Sequence, residues 1–176
     1  MSAAPQASRI AALLDGHAKA VTRADEIPTF EVPHDNLRDV CVRLKSEGGF
    51  EQNTFITATD ELPAQPRFKL RYQFLSFAHN ERVRLEVDVQ GLDPRVPSIA
   101  DVYPGAAYAE RETYDFFGIQ FDGHEDLKRL HMPDGYGHFP LRKDFPHRGI
   151  EPDRLYKEWE QRHAGGNTYK PDAGAR

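Results

Sequence analysis

The chain has 176 residues, 39% of them hydrophobic and 11% aromatic, with 28 acidic against 23 basic side chains and a net charge of -5. That length allows one domain with a real core, and the acidic balance gives no long-range attraction to nucleic acid or to an acidic membrane surface. One cysteine excludes an intrachain disulfide and a four-thiolate zinc or iron–sulfur site, and no apolar run reaches the roughly 20 residues needed to cross a bilayer.

Ile10, Leu13, Leu14, Ala18 and Val21 recur at helical spacing and predict an amphipathic helix over 8–21. No basic stretch followed by a long apolar block opens the chain, so a secretory signal is not expected. "IPTFEVP" reads as a short strand between prolines. Asp35 or Asn36 can cap the next helix, whose apolar stripe is Leu37, Val40, Cys41 and Leu44, and Gly48 and Gly49 end it. Cys41 on that stripe is expected to be buried and inert.

Three strands follow. "FEQNTFITATD" is the first. "RFKLRYQFLSF" alternates Phe68, Leu70, Tyr72 and Phe74 with Arg67, Lys69, Arg71 and Gln73. "RVRLEVDV" alternates Val83, Leu85, Val87 and Val89 with Arg82, Arg84, Glu86 and Asp88, and "AHNE" between the two fits a hairpin turn. Period-two patterning of this kind marks antiparallel strands with one wet face. A second structural helix is expected over 104–117, entered through a capping-box-like Ser98 and Asp101 with Pro104 in its first position, and stopped by Gly118.

The fold class is therefore α+β: a small, mainly antiparallel sheet with helices packed on one face, followed by an extended irregular C-terminal arm. The expected division is an N-terminal helical segment at 1–26, an α+β domain at 27–122, the arm at 123–150, and a helix ("PDRLYKEWEQR") with a tail at 151–176.

Chemical motifs are scarce. Glu110, Arg111, Glu112 and Asp115 crowd Tyr114, Phe116 and Phe117 on the second helix, so part of that charge must meet packed surface, where it is costly unless paired. Glu112 and Asp115 share a face at i, i+3, but no nucleophile elbow or phosphate loop accompanies them. His124, His131 and His138 recur every seven residues, which matches no compact metal-ligand spacing; a stand-alone metal enzyme built on them is the rival reading from another class. The basic residues of the last third are mixed with acids and lack a stacking stripe of aromatics, which argues against nucleic acid. "PLRKDFP", residues 140–146, has the look of an interface epitope: Leu141 and Phe145 as anchors, Arg142, Lys143 and Asp144 as polar pins.

"ERETYDFFGIQFDGHEDLKRLHMPDG" and "PLRKDFP" together resemble the C, or 30 kDa-type, subunit of proton-translocating NADH:quinone oxidoreductase, respiratory complex I. The signature falls on Glu110, Arg111, Glu112, Tyr114, Asp115, Gly118, Phe121, Gly123, His124, Leu127, Arg129, Met132 and Pro133. The likeness extends over roughly residues 30–150, with departures at Glu125, His131 and Phe139. It implies a structural subunit of the peripheral arm of an enzyme that passes electrons from NADH through FMN and iron–sulfur clusters to quinone and translocates protons. On that likeness the chain carries no cofactor itself, the FMN and clusters residing in partner subunits. It packs on the D subunit, the hydrogenase-like component of the quinone site, and on neighbouring iron–sulfur subunits, at the cytoplasmic side of the inner membrane. The residues expected to meet partners are Glu110, Arg111, Glu112, Tyr114, Asp115, His124, Arg129, Leu141, Arg142, Lys143, Asp144 and Phe145. The nearest alternative is the equivalent subunit of a related membrane-bound hydrogenase, or of a quinone reductase lacking an NADH module.

Overall fold

A computed structural model describes residues 3–25, 27–91, 93–133, 135–146 and residue 161. The elements in chain order are helix α1 (Ala3–Leu13), strands β1 (Lys19–Val21) and β2 (Thr29–Glu31), a 3-10 turn (His34–Asn36), helix α2 (Leu37–Ser46), strands β3 (Gln52–Asp60), β4 (Phe68–Ser76), β5 (Glu81–Val89) and β6 (Arg95–Pro97), helix α3 (Ala106–Phe117) and strand β7 (Gln120–Asp122). Strands β1 to β5 form one sheet in the order β1-β2-β5-β4-β3, while β6 and β7 pair separately. All neighbours in the large sheet are antiparallel except β2 and β5, which are parallel.

The alternation read from the sequence decides which side is dry. Phe68, Leu70, Tyr72 and Phe74 of β4 and Val83, Leu85 and Val87 of β5 are fully buried, and they join Ile10 and Leu14 from the α1 region, Leu37, Val40, Cys41 and Leu44 of α2, and Ala106 and Phe117 of α3 in one core. All three helices thus bury their stripes against the same sheet face. The opposite face carries Lys69, Arg71, Arg84, Glu86 and Asp88. Glu86 there is only 2% exposed, yet it is bonded by Arg23 and Arg71 and lies 3.8 Å from Lys69 Nζ. Burial raises its carboxyl, but these cations outweigh burial and hold it below the ordinary range.

Several boundaries differ from expectation. The first helix ends at Leu13, and the chain turns at Gly16 with φ 74°, so Ala18 and Val21 leave the helix and the latter joins β1. Asn36 occupies the N-cap of α2 but its side chain makes no capping bond; the preceding 3-10 turn supplies the start instead. Helix α3 begins at Ala106, not Pro104, and the Ser98 entry is half formed: Ser98 Oγ accepts from Ala100 N–H at 3.1 Å while Asp101 reaches out to Arg38. Arg67 is not on the wet face with Lys69 and Arg71. It precedes β4 and folds inward, 6% exposed, onto Asp60. Short β1, β6 and β7 have too few residues to show periodicity. Of the expected helix at 152–162 only Gln161 lies within the described residues, and it is helical.

Candidate functional site

Helix α3 needs two kinds of face because it has two neighbours. Ala106, Glu110, Thr113 and Phe117 point into the core. Asp115 points the other way, towards the segment 123–146, and is also fully buried. The described residues of that segment form no helix or strand, so their backbone groups must find partners one by one.

Asp115 supplies three of them. Its Oδ2 accepts from the N–H groups of Leu130, His131 and Met132 at 3.0, 2.6 and 2.9 Å, and its Oδ1 from Arg129 Nη1 at 2.8 Å. Burial pushes this carboxyl up, but the N–H groups of Met132 and His131, the Arg129 guanidinium and the N–H of Leu130 pull it down further, so the net shift is downward. An ionised buried carboxylate that accepts four hydrogen bonds, one from a guanidinium, is the arrangement that offsets its own desolvation.

Farther along, Leu141 N–H donates to the carbonyl of Phe116 at 3.2 Å and Arg142 Nε to that of Phe117, the orphan carbonyls at the C-terminal end of α3. Gly118 stops the helix in the left-handed region at φ 70°, its N–H bonded to the Tyr114 carbonyl at 2.8 Å. A Cβ on Gly118 meets Arg142 Nη2 at 2.5 Å and the Phe139 ring at 2.6 Å, so glycine is required for both the turn and the close approach of the arm. Arg129 sits 5.0 Å from the Phe139 ring centre, and Arg142 lies 4.5 Å from the same ring and 5.3 Å from Phe68. Cations and rings therefore alternate from the arm into the sheet rim. The last pin is Lys143, whose N–H donates to Asp60 Oδ2 at 2.9 Å and whose Nζ donates to the Leu62 carbonyl. Asp60 also holds Arg67, which bonds Asp144 at 2.8 Å.

The second buried carboxylate closes the near end. Glu110 accepts from Ser98 Oγ at 2.6 Å and Ile99 N–H at 2.7 Å, with His124 Nε2 4.0 Å away. Burial is the dominant influence and raises its carboxyl, while Ser98, Ile99 and His124 resist only in part. His124 itself receives the Asp126 N–H on Nδ1, which places its proton on Nε2, facing the Ala107 carbonyl at 3.0 Å. Because the folded-state value of Glu110 is raised, the native state binds more protons than the unfolded chain between the ordinary glutamate value, about 4.3, and the folded value, and stability falls as pH rises through that interval. Glu110→Gln is expected to remove that part of the fall. Glu110→Ala is expected to cost about 1–3 kcal/mol from the orphaned donors. Urea unfolding of the three proteins from pH 4 to 8 checks both. A wild-type-minus-Gln difference that does not change with pH contradicts the assignment.

Of the residues expected at partner interfaces, Glu110 and Asp115 are buried within the chain and bonded to its own groups, as the charge expected to meet packed surface. Arg129 and Arg142 are likewise spent on α3 and on aromatic rings. Arg111 bonds the carbonyls of Lys128 and Arg129 at 3.2 Å each, His124 lies beneath the 123–126 turn, and Tyr114 faces Phe139. Phe145 packs edge-on to His138. Glu112, Leu141, Lys143 and Asp144 remain exposed. The sequence reading missed the roles of Asp60 and Arg67, because nothing local marks residues whose partners Lys143 and Asp144 lie 83 and 77 positions away, and it read Ser98 as a cap and not as the donor to Glu110. Among the described residues no group of three or more His, Cys, Asp or Glu is placed to hold a metal. His131 stacks on Phe116 while His138 meets Tyr136 and Phe145 edge-on, so the seven-residue histidine rhythm leads to three separate environments.

Fold and site define an α+β domain clasped by its own irregular arm. The chain belongs to the family described as the 30 Kd subunit of respiratory-chain NADH dehydrogenase, whose model matches residues 30–151. It is 44% identical over 125 residues to the NADH-quinone oxidoreductase C subunit of Saccharopolyspora erythraea, covering 69% of this chain and 50% of that one. It is 43% identical over 134 residues to the C subunit of Ruegeria pomeroyi, covering 75% and 66%. To the NADH-quinone oxidoreductase C/D 2 subunit of Aquifex aeolicus it is 43% identical over 122 residues, covering 69% and 20%. The chain thus spans about half to two-thirds of the length of the first two relatives. Among solved structures, a trypsin-resistant fragment (1–134) of Nqo5 superposes with a TM-score of 0.62 at 26% identity, covering 72% of this chain and all of that one. A chain of the membrane-bound sulfane sulfur reductase, an archaeal respiratory membrane complex, shares the fold with a TM-score of 0.69 at 24% identity over 98% of both.

Proposed function

We propose that this chain is a structural subunit of the peripheral arm of an NADH:quinone oxidoreductase, complex I, and that it performs no bond-making itself. The observation that carries this reading is the use of the signature residues. Asp115, Arg129 and Arg142 are consumed in fixing an irregular arm to a helix, and Glu110 in holding Ser98 and Ile99 against that helix, leaving a rigid, shaped surface as the product of the motif. Rigid irregular surface is what subunit packing needs, since preorganisation lowers the ordering cost of association. The assembled enzyme passes electrons from NADH through FMN and iron–sulfur clusters, all held in partner subunits, to quinone, with proton translocation. The hydrogenase-like D subunit, with the quinone site, is the principal partner, and the fused C/D 2 relative supports that pairing; neighbouring iron–sulfur subunits are the others. Among the described residues no helix is long and apolar enough to cross a membrane, so attachment at the cytoplasmic side of the inner membrane runs through the partners.

The test is copurification of the tagged full chain from its own cells, with NADH:quinone turnover and cofactor absorbance measured before and after dissociation. The expected result is a complex that includes a homologue of the hydrogenase-like, quinone-site subunit, with turnover, FMN and clusters found in the complex and absent from the separated chain. Stoichiometric flavin or cluster on the separated chain overturns the reading. Recovery with hydrogenase-like chains but no NADH-oxidising module assigns it instead to the related hydrogenase or quinone reductase.

A further inference from the structure

Three of the six large hydrophobic side chains that the described residues expose lie on α3 or on the arm segments bonded to it. Tyr108 is 66% exposed, Leu141 53% and Leu130 38%. Eight residues separate Tyr108 from Phe116, about 12 Å along the axis, and Glu112 stands one turn from each, so the three share a stripe. The core lies on one side of the helix and the arm covers another, where Asp115 is. Along that stripe Tyr108 and Glu112 are exposed, while Phe116 is half-buried against the core with His131 of the arm over its ring.

The arm builds the wall of this stripe from behind. Leu130 and Leu141 are held by their own N–H groups, one on Asp115 and one on the Phe116 carbonyl, and His131 stacks on Phe116 with ring centres 5.2 Å apart. Two leucines are therefore displayed on fixed backbone, which is a preorganised apolar contact rather than a floppy loop.

Glu112 gives the stripe its polarity. It is exposed and makes no hydrogen bond or ion pair among the described residues. Arg111, the adjacent cation, is turned to the arm carbonyls and packs 5.7 Å from the Tyr108 ring. The open face of the sheet is the other uncovered surface, with Phe55 and Phe77 at its corner. Its central charges are already matched: Glu86 with Arg23 and Arg71, Lys69 with Asp88, Arg84 with Asp25. On the α3 stripe Glu112 stands unpaired among the described residues beside the exposed Tyr108, the layout of an interface centre awaiting one cation.

We propose that the stripe Tyr108, Glu112 and Phe116, walled by Leu130, His131 and Leu141, docks a segment of a sister subunit that brings one lysine or arginine to Glu112 between apolar side chains. This rests on the scaffold reading above and says which surface does the scaffolding. The experiment uses the full chain in its native complex, with benzoylphenylalanine placed singly at Tyr108, Leu141 and, as a comparison, Phe77, together with Glu112→Lys. Crosslinks from Tyr108 and Leu141 are expected to map to one segment of another chain of the complex, and that segment to hold a lysine or arginine. Glu112→Lys is expected to lower recovered complex about tenfold, with an unchanged melting temperature of the free chain, and reversal of the partner's cation is expected to restore it. If the complex forms but the crosslinks arise only from Phe77, or map to a segment with no basic residue, the inference fails and the scaffold reading stands. A chain that joins no complex at all sinks both.

Discussion

Asp115→Ala is expected to detach the arm while leaving the sheet folded. The substitution removes one carboxylate and strands four donors at once: the N–H groups of Leu130, His131 and Met132 and the guanidinium of Arg129. Breaking a buried, fully engaged pair of this kind costs about 3–5 kcal/mol. Most of that falls on the arm, since the core stripe of α3 does not include Asp115. Hydrogen exchange should show protection lost at residues 129–132 and kept on β4 and β5. The same carboxylate predicts an acid limit. Its folded value is depressed, so its contribution is complete above the ordinary aspartate value of about 3.9 and is lost as pH falls through the lower folded value. In wild type the arm amides should therefore lose protection on acidification before the β4 and β5 amides do. Simultaneous loss at both would count against Asp115 as the latch.

Gly118→Ala is the second large effect. The backbone there lies at φ 70°, where an L side chain costs about 1–2 kcal/mol. The new methyl must also displace Arg142 and Phe139, both within 2.6 Å of where it would stand, and forced overpacking adds about 1–3 kcal/mol. The phenotype is expected to resemble Asp115→Ala from the other end of the arm: lower thermal stability, with Phe139 and Arg142 released from the sheet rim. Gly105→Ala, with open space around its Cβ and a right-handed φ of -64°, is the matched control and should be close to neutral. Equal melting temperatures for both variants would remove Gly118 from the clasp.

The sheet was legible because period two is a local signal. Phe68 to Phe74 and Val83 to Val89 announce their dry face without reference to anything else, and α2 does the same through Leu37, Val40, Cys41 and Leu44. The stop at Gly118 was legible too. What the sequence concealed is direction. Glu110 and Asp115 are visibly too many charges for an aromatic helix, but whether they turn inward or outward depends on an arm with no periodicity. Asp60 and Arg67 were unreadable for a related reason: Asp60 ends β3 and Arg67 precedes β4, and beyond their bond to each other their partners, the Lys143 N–H and the Asp144 carboxylate, come from far along the chain. The parallel pairing of β2 with β5 is equally nonlocal, since it places a three-residue strand beside one more than fifty positions later.

Lys143 meets Asp60 across 83 residues, and Arg67 meets Asp144 across 77. During synthesis the sheet rim therefore emerges long before the segment that covers it. In that interval Asp60 and Arg67 have each other, 2.8 Å apart, and can wait at the rim without an uncompensated charge. The arm, leaving the ribosome after them, then closes over the domain, and any surface that depends on its backbone comes into being only at that step. A nascent chain caught earlier has the fold but nothing yet for a sister subunit to grip.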